Sequence, residues 1–385
     1  MTAGANPAPV YLDYNATAPV RPEAKAAMLA ALDAPGNPSS VHRFGRAARA
    51  LIEQARVAVA ELVGGEPKRV IFTSGGTEAN NLALKLFRSH AAPQTGGAGL
   101  ILSAIEHDSV LRPGRHMDIP TVALPAGRDG AVSLPALEKA LAESPKPALV
   151  ALMLANNETG AIQPVAEATR LAHEHGALLL CDAVQAAGKI PVDMAALGCD
   201  LLSLSAHKIG GPTGVGALVT RDDWIPAPLL RGGGQELGQR AGTENLPGIA
   251  GFGAAAKAAR QALPETAARV AALRERLQAA LLAACPEAPV YGNGVPRLPN
   301  TLCIGMPGVP AETQVMALDL AGIAVSAGSA CSSGKVTPSH VLTGMGYPEP
   351  AAREAIRFSL GWDTTAEDID RAAAAWTALW DRKKK

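Results

Sequence analysis

Residues 200–220 read DLLSLSAHKIGGPTGVGALVT. Two apolar runs flank a turn that carries His207, Lys208 and several glycines. The turn is too short for a helical crossover, so the two runs form an antiparallel pair. Five similar runs lie upstream: RVIFTSG (69–75), LILSAIEH (100–107), TVALPA (121–126), ALVALMLANNE (148–158) and ALLLCDAVQ (177–185). Helix-like stretches such as TEANNLALKLFRSH (77–90) and VAEATRLAHEHG (165–176) separate most of them. Continuous apolar strands alternating with helices predict a mostly parallel seven-stranded sheet covered on both faces, an α/β fold.

Residues 248–284 are alanine-rich and helical in pattern, with Pro264 inside. Proline lacks the backbone donor, so a helix break and a domain boundary are expected there. Beyond it the pattern reads as a smaller α+β unit. Strands are expected at NTLCIGM (300–306), IAVSAG (323–328) and AIRFSLG (355–361), with helices at ETQVMALDLAG (312–322) and after PSHVL (338–342). A last helix is expected from Thr364, with Glu367 at capping-box spacing. The expected division is a large domain over 13–260 and a small one over 261–385, joined by 1–12.

Composition narrows the function classes. The 385-residue chain is 48% hydrophobic and 18% charged, and 35 Lys+Arg balance 35 Asp+Glu. A neutral chain argues against nucleic acid or an anionic membrane as main partner. No apolar run reaches the ~18 residues of a membrane span. The first twenty residues lack a basic n-region and an apolar h-region, so no signal peptide is expected. The five cysteines are scattered without CxxC or CxxH spacing, which suits a reducing cytoplasm and neither a disulfide framework nor a zinc site.

Ligands of parallel sheets bind at the carboxyl ends of the strands. There the sequence places a glycine-rich helix start at Gly76 and Thr77, His107, the Asn156-Asn157-Glu158 group, Asp182 with Gln185, and Ser205, His207 and Lys208. Each alone has an ordinary structural reading. Together they match what pyridoxal 5'-phosphate needs: an amine to hold the aldehyde, a carboxylate for the pyridine nitrogen and an anion cradle for the phosphate. Cys331 stands apart in SAGSACSSGK (326–335), a segment too small and polar to pack a core. A thiol placed so is a candidate nucleophile.

Over nearly its whole length the chain resembles the NifS/IscS-like cysteine desulfurases, in the class V aminotransferase group of fold-type I pyridoxal phosphate enzymes. The resemblance rests on YLDYNATAPV, NPSSVHRFGR, FTSGGTEANN, IEHDSV, NNETG, CDAVQAAGKIPVD, SAHKIGGPTGVGAL, GGGQELGQRAGTEN, SAGSAC and IRFSLG, in family order. It implies that Lys208 carries the cofactor as a Schiff base. Asp182 would meet the pyridine nitrogen, with Gln185 and Asn157 at the ring hydroxyl and His107 stacked on the ring. Gly76, Thr77, Ser205 and His207 would hold the phosphate, and Thr243 would reach the phosphate in the neighbouring subunit of a homodimer. Asn37 and Arg357 would take the carboxylate of L-cysteine. Cys331 would receive sulfur as a persulfide, passing it to an iron–sulfur scaffold or other acceptor protein, where it would touch a nascent cluster. Leu237 and Gln239 depart from the basic residues relatives often carry there. Selenocysteine lyase and class V aminotransferase are the alternative readings, and neither requires Cys331.

Overall fold

The computed structural model describes residues 8–91, 97–221, 228–328 and 338–384. Strand β1 (Val10–Tyr11) precedes helices α1 (Pro22–Asp33) and α2 (Arg43–Leu62). Then follow β2 (Val70–Thr73), α3 (Gly76–Ala91), β3 (Gly99–Ser103), α4 (Asp108–Arg115), β4 (Thr121–Leu124), α5 (Leu134–Glu143) and β5 (Ala148–Met153). After these come α6 (Val165–Glu174), β6 (Leu178–Asp182), α7 (Met194–Leu197), β7 (Leu201–Ser205), β8 (Gly216–Thr220) and α8 (Leu246–Ala284).

The seven apolar runs are the seven strands of one sheet, ordered β2-β8-β7-β6-β5-β3-β4. Only β8 runs against its neighbours, pairing antiparallel with both β7 and β2. The central strands are buried on both faces because alternate side chains enter different cores. Val150, Leu152, Leu179, Cys181 and Leu202 enter one core, with α6 against β5 and β6 and residues of α2 and α8 in the same cluster. Leu149, Ala151, Leu180 and Leu201 pack in the core of α3 and α4 with Leu82, Phe87 and Val110. Such two-sided burial explains why these strands read as unbroken apolar runs.

The remaining elements are β9 (Val290–Tyr291), β10 (Thr301–Gly305), α9 (Ala311–Leu320), β11 (Ile323–Ala324), β12 (Ser326–Ala327), α10 (His340–Gly344), α11 (Glu349–Arg353), β13 (Ala355–Ser359) and α12 (Ala366–Lys383). Four strands form a second, antiparallel sheet, β12-β13-β10-β9. Its core joins Leu302, Ile304, Ile356 and Phe358 to Trp376 and Trp380 of α12. Strand β1 pairs in parallel with β11, and Val10 and Leu12 pack into this second core. Val10–Tyr11 and Leu12 are thereby tied to the core of this second sheet.

Two local expectations are corrected. Helix α8 runs unbroken through Pro264. Proline inside a helix costs about 3 kcal/mol, but each half of α8 is anchored in a separate core. Phe252, Ala255 and Ala259 enter the first core; Val270, Leu277 and Leu281 enter the second. The capping box of α12 lies one residue later than expected. Thr365 Oγ1 accepts from Asp368 N at 3.2 Å, and Thr365 N donates to Asp368 Oδ2 at 2.8 Å. The Thr364 hydroxyl instead accepts from Gly361 N.

Candidate active site

Asp182, Ser205, His107 and Asn157 come together because the strand register aligns the sheet's carboxyl edge: Met153 pairs with Asp182, and Asp182 with Ser203. A cavity of about 430 Å³ opens along that edge. Its walls include Gly76, Thr77, His107, Asn157, Asp182, Gln185, Ser205, His207, Lys208 and Arg357. Two expected residues lie elsewhere. Asn37 and Thr243 are exposed and outside the walls of their own chain's cavity. Cys331 lies outside the described residues, while Gly328 before it and His340 after it line the cavity.

Lys208 closes β7 through a short 3₁₀ turn. Its Nζ donates to the carbonyls of Asn15 at 2.6 Å and Ala16 at 2.8 Å. Burial, followed by the charge of Arg357, pushes its pKa down to about 8. Deprotonation near neutral pH is what an attacking or proton-accepting amine needs. Asp182 is buried, accepting from Asn80 Nδ2 at 2.9 Å and from Val184 N at 3.0 Å. Behind it, Glu106 is fully buried, and desolvation together with Asp182 pushes its pKa well up.

His107 caps α4. The Ser109 amide donates to its Nδ1 at 3.1 Å, which leaves the proton of the neutral ring on Nε2. Burial lowers its pKa. Burial also takes His207 down to about 4, aided by Lys208 and Lys189. Arg357 sits on β13 with its side chain 6% exposed. It donates to Asn157 O at 3.0 Å and Asp13 Oδ1 at 2.7 Å, and its Nε has no hydrogen-bond partner among the described residues.

Motif reading passed over several residues of this network. Asn15 bonds Lys208, Gln185, Lys189, Asn157 and Thr301 at once. It lies in YLDYNATAPV, a matched segment, but not at a strand end. Asn80, one turn inside α3, has helix spacing from Gly76 as its signal.

The walls fit pyridoxal phosphate. A Cβ at Gly76 would stand 2.9 Å from Val184 Cγ2 and 3.4 Å from Ser205 Cβ, so only glycine leaves this cradle open. The helix start beside it offers backbone donors to a phosphate. Asn157 Oδ1, buried and without a partner among the described residues, can accept from a ligand donor. Lys208 and Asp182 supply the amine and the carboxyl group.

Fold and site define an enzyme of the aminotransferase type, built around a lysine at the mouth of a parallel sheet. The family model Aminotransferase class-V matches residues 10–372, and the chain belongs to that family. It is 47% identical to a cysteine desulfurase of Cereibacter sphaeroides over 94% of this chain and 93% of that relative. It is 42% identical to the cysteine desulfurase IscS of Dictyoglomus turgidum, over 94% of this chain and 92% of the relative. Among solved structures, a NifS-like protein from Rickettsia africae superposes with a TM-score of 0.89 at 36% identity, covering 97% of this chain and 99% of the other.

Proposed function

We propose that the protein is a pyridoxal phosphate-dependent cysteine desulfurase. It takes sulfur from L-cysteine, releases L-alanine and stores the sulfur as a persulfide on Cys331. The observation that carries this reading is one cavity that joins a lysine of lowered pKa, a buried aspartate and an arginine whose Nε has no hydrogen-bond partner among the described residues. Family membership gives it the chemistry.

When bound, pyridoxal phosphate supplies an electron-accepting ring that stabilises negative charge at the substrate α-carbon. The chain's own groups do the rest. Lys208 holds the cofactor and moves the proton at the substrate Cα through Nζ. Asp182 would face the pyridine nitrogen. Gly76, Thr77, Ser205 and His207 would hold the phosphate. Gln185 and Asn157 would meet the ring oxygen, and His107, with its proton on Nε2, would lie against the ring. Arg357 receives the substrate carboxylate, for which its fork is suited; Asn37, expected beside it, lies outside the cavity of its own chain. The Cys331 thiolate attacks the substrate sulfur. A sulfur–sulfur bond forms, the Cβ–sulfur bond breaks, its electron pair stays with the carbon skeleton, and a proton completes alanine. No outside oxidant enters.

We place the enzyme in a cytoplasmic homodimer, with Thr243 reaching the neighbouring subunit's cofactor phosphate. Its exposure, away from its own cavity, supports this. Among the described residues no helix is long and apolar enough to cross a membrane. The persulfide passes to an iron–sulfur scaffold or other acceptor protein, touching the nascent cluster as cargo. The test measures alanine and sulfide from L-cysteine with a reductant present. Native protein should give both in equal amounts, and Cys331→Ala and Lys208→Ala almost none. Full activity in Cys331→Ala would overturn the persulfide route in favour of direct release, as in a selenocysteine lyase.

A further inference from the structure

The functional reading leaves one deeply set lysine without a role. Lys189 lies in the turn after β6, four residues past Gln185. It does not line the large cavity. It borders a narrow second cavity of about 40 Å³, which accounts for its residual accessibility. Its Nζ donates to Asn15 Oδ1 at 2.8 Å and to Gln185 Oε1 at 2.6 Å. Burial, together with Lys208 and Arg357, pushes its pKa well down. Keeping such a group inside the fold costs free energy, and apolar packing would fill the space more cheaply.

The geometry shows what the lysine controls. A glutamine amide has an accepting end and a donating end of nearly equal shape. Gln185 is buried in the wall of the large cavity, so the orientation of that amide decides what a ligand meets. Lys189 Nζ donates to Oε1, and Gln185 Nε2 donates to the Asn15 carbonyl at 2.9 Å. Turning the amide over would set its oxygen against the Asn15 carbonyl, a repulsive contact, and would take from Lys189 the Oε1 it donates to. The Asn15 side chain is fixed in turn. Its Oδ1 takes donors from Lys189 and Asn300, and its Nδ2 donates to Asn157 O and Thr301 Oγ1.

We propose that Lys189 is a positioning residue for the reaction: by occupying the Gln185 carbonyl oxygen it keeps the second amide N–H available to the cofactor's ring oxygen, which is thereby held as an oxyanion. This rests on the function proposed above. Lys189 touches neither substrate nor cofactor and acts only through Gln185.

The test compares binding of two ligands by the full-length apoprotein: pyridoxal 5'-phosphate and its 3-deoxy analogue, which lacks the ring oxygen. Native protein should prefer the natural cofactor by about tenfold or more, the worth of one hydrogen bond to a charged oxygen. Lys189→Met removes one of the two contacts that orient the amide and should lower that ratio severalfold while leaving affinity for the deoxy analogue unchanged. A merely structural role would weaken both ligands alike, and that result, or an unchanged ratio, overturns the proposal. Lys189→Gln is the second variant and carries the test if Lys189→Met does not fold. Its amide donates or accepts, so it no longer dictates the orientation of Gln185, and part of the preference should be lost. A full preference in that variant would also overturn the proposal. Borohydride trapping of the natural cofactor on Lys208 of the native protein separates the two readings. No trapping sinks the functional reading, whereas trapping with an unaltered ratio sinks this inference alone.

Discussion

Glu158 offers a direct test of how the fold sets charge in the site. It follows β5, is 1% exposed and lines the cavity. Its Oε2 accepts from Ser339 Oγ at 2.5 Å. Burial raises its pKa from 4.5 to about 7, against the opposing pull of that hydrogen bond and of His340 and Arg357. A carboxyl group whose pKa is higher folded than unfolded is stabilising when protonated. Its contribution is fully present below about 4.5 and is lost as pH rises through about 7. The perturbation is Glu158→Gln, which stays neutral and can still accept from Ser339. At low pH the native protein and the variant should differ by a constant. As pH rises, the unfolded native chain gives up its proton while the folded one keeps it. The native protein then loses about 1.4 kcal/mol per pH unit relative to the variant, on the order of 3 kcal/mol across the gap. The assay is the urea midpoint of both proteins between about pH 5 and pH 8 at one protein concentration. The difference should grow in favour of the variant up to about pH 7 and then level off. A difference that stays flat would refute the claim that burial holds this group protonated.

Two further substitutions probe the cradle and the loop beside it. Gly76→Ala places a Cβ 2.9 Å from Val184 Cγ2; strain of about 1–3 kcal/mol in the first turn of α3 should weaken pyridoxal phosphate roughly tenfold, and unchanged affinity in equilibrium dialysis would remove the cradle from that turn. Glu236 binds Arg56 at 2.8 and 3.0 Å and accepts from Phe72 N, pinning a loop that holds residues 236 and 237 at positive φ. Glu236→Ala leaves the buried Arg56 with the half-exposed Glu53 as its remaining carboxylate and should cost about 2–3 kcal/mol in denaturation, whereas a loss under about 1 kcal/mol would show the pair to be incidental.

The sheet was legible because its strands are buried on both faces, which forces unbroken apolar runs. The polar residue that ends each run is conspicuous for the same reason. That is how His107, Asp182 and Lys208 stand out with no neighbour in sequence to explain them. Pro264 misled because a local rule about one missing donor is overridden by two cores at either end of α8. Asn15 and Lys189 were not legible as site residues. Their roles arise from one segment crossing behind the sheet edge, and no periodicity reports such a meeting. Thr243 and Asn37 are a different case: they appear in recognisable motifs but lie away from their own chain's cavity.

The charges in the site follow one pattern. Burial pushes Lys208 and Lys189 down, and it pushes Glu106 and Glu158 up. Each of these groups is driven toward its neutral form. Arg357 is different in kind, because a guanidinium does not deprotonate in proteins. It is a fixed positive charge in the wall, partly balanced by Asp13 and with Nε unmet. A site prepared in this way is incomplete until an anion arrives. On the proposed function, an amino acid would bring a carboxylate to Arg357. The same charge is one of the causes that keep Lys208 low. Neutralising it would raise the basicity of the Lys208 amine when there is a substrate proton to take. Binding and proton transfer would then be coupled through a single residue, one that β13 brings into the same cavity as Lys208.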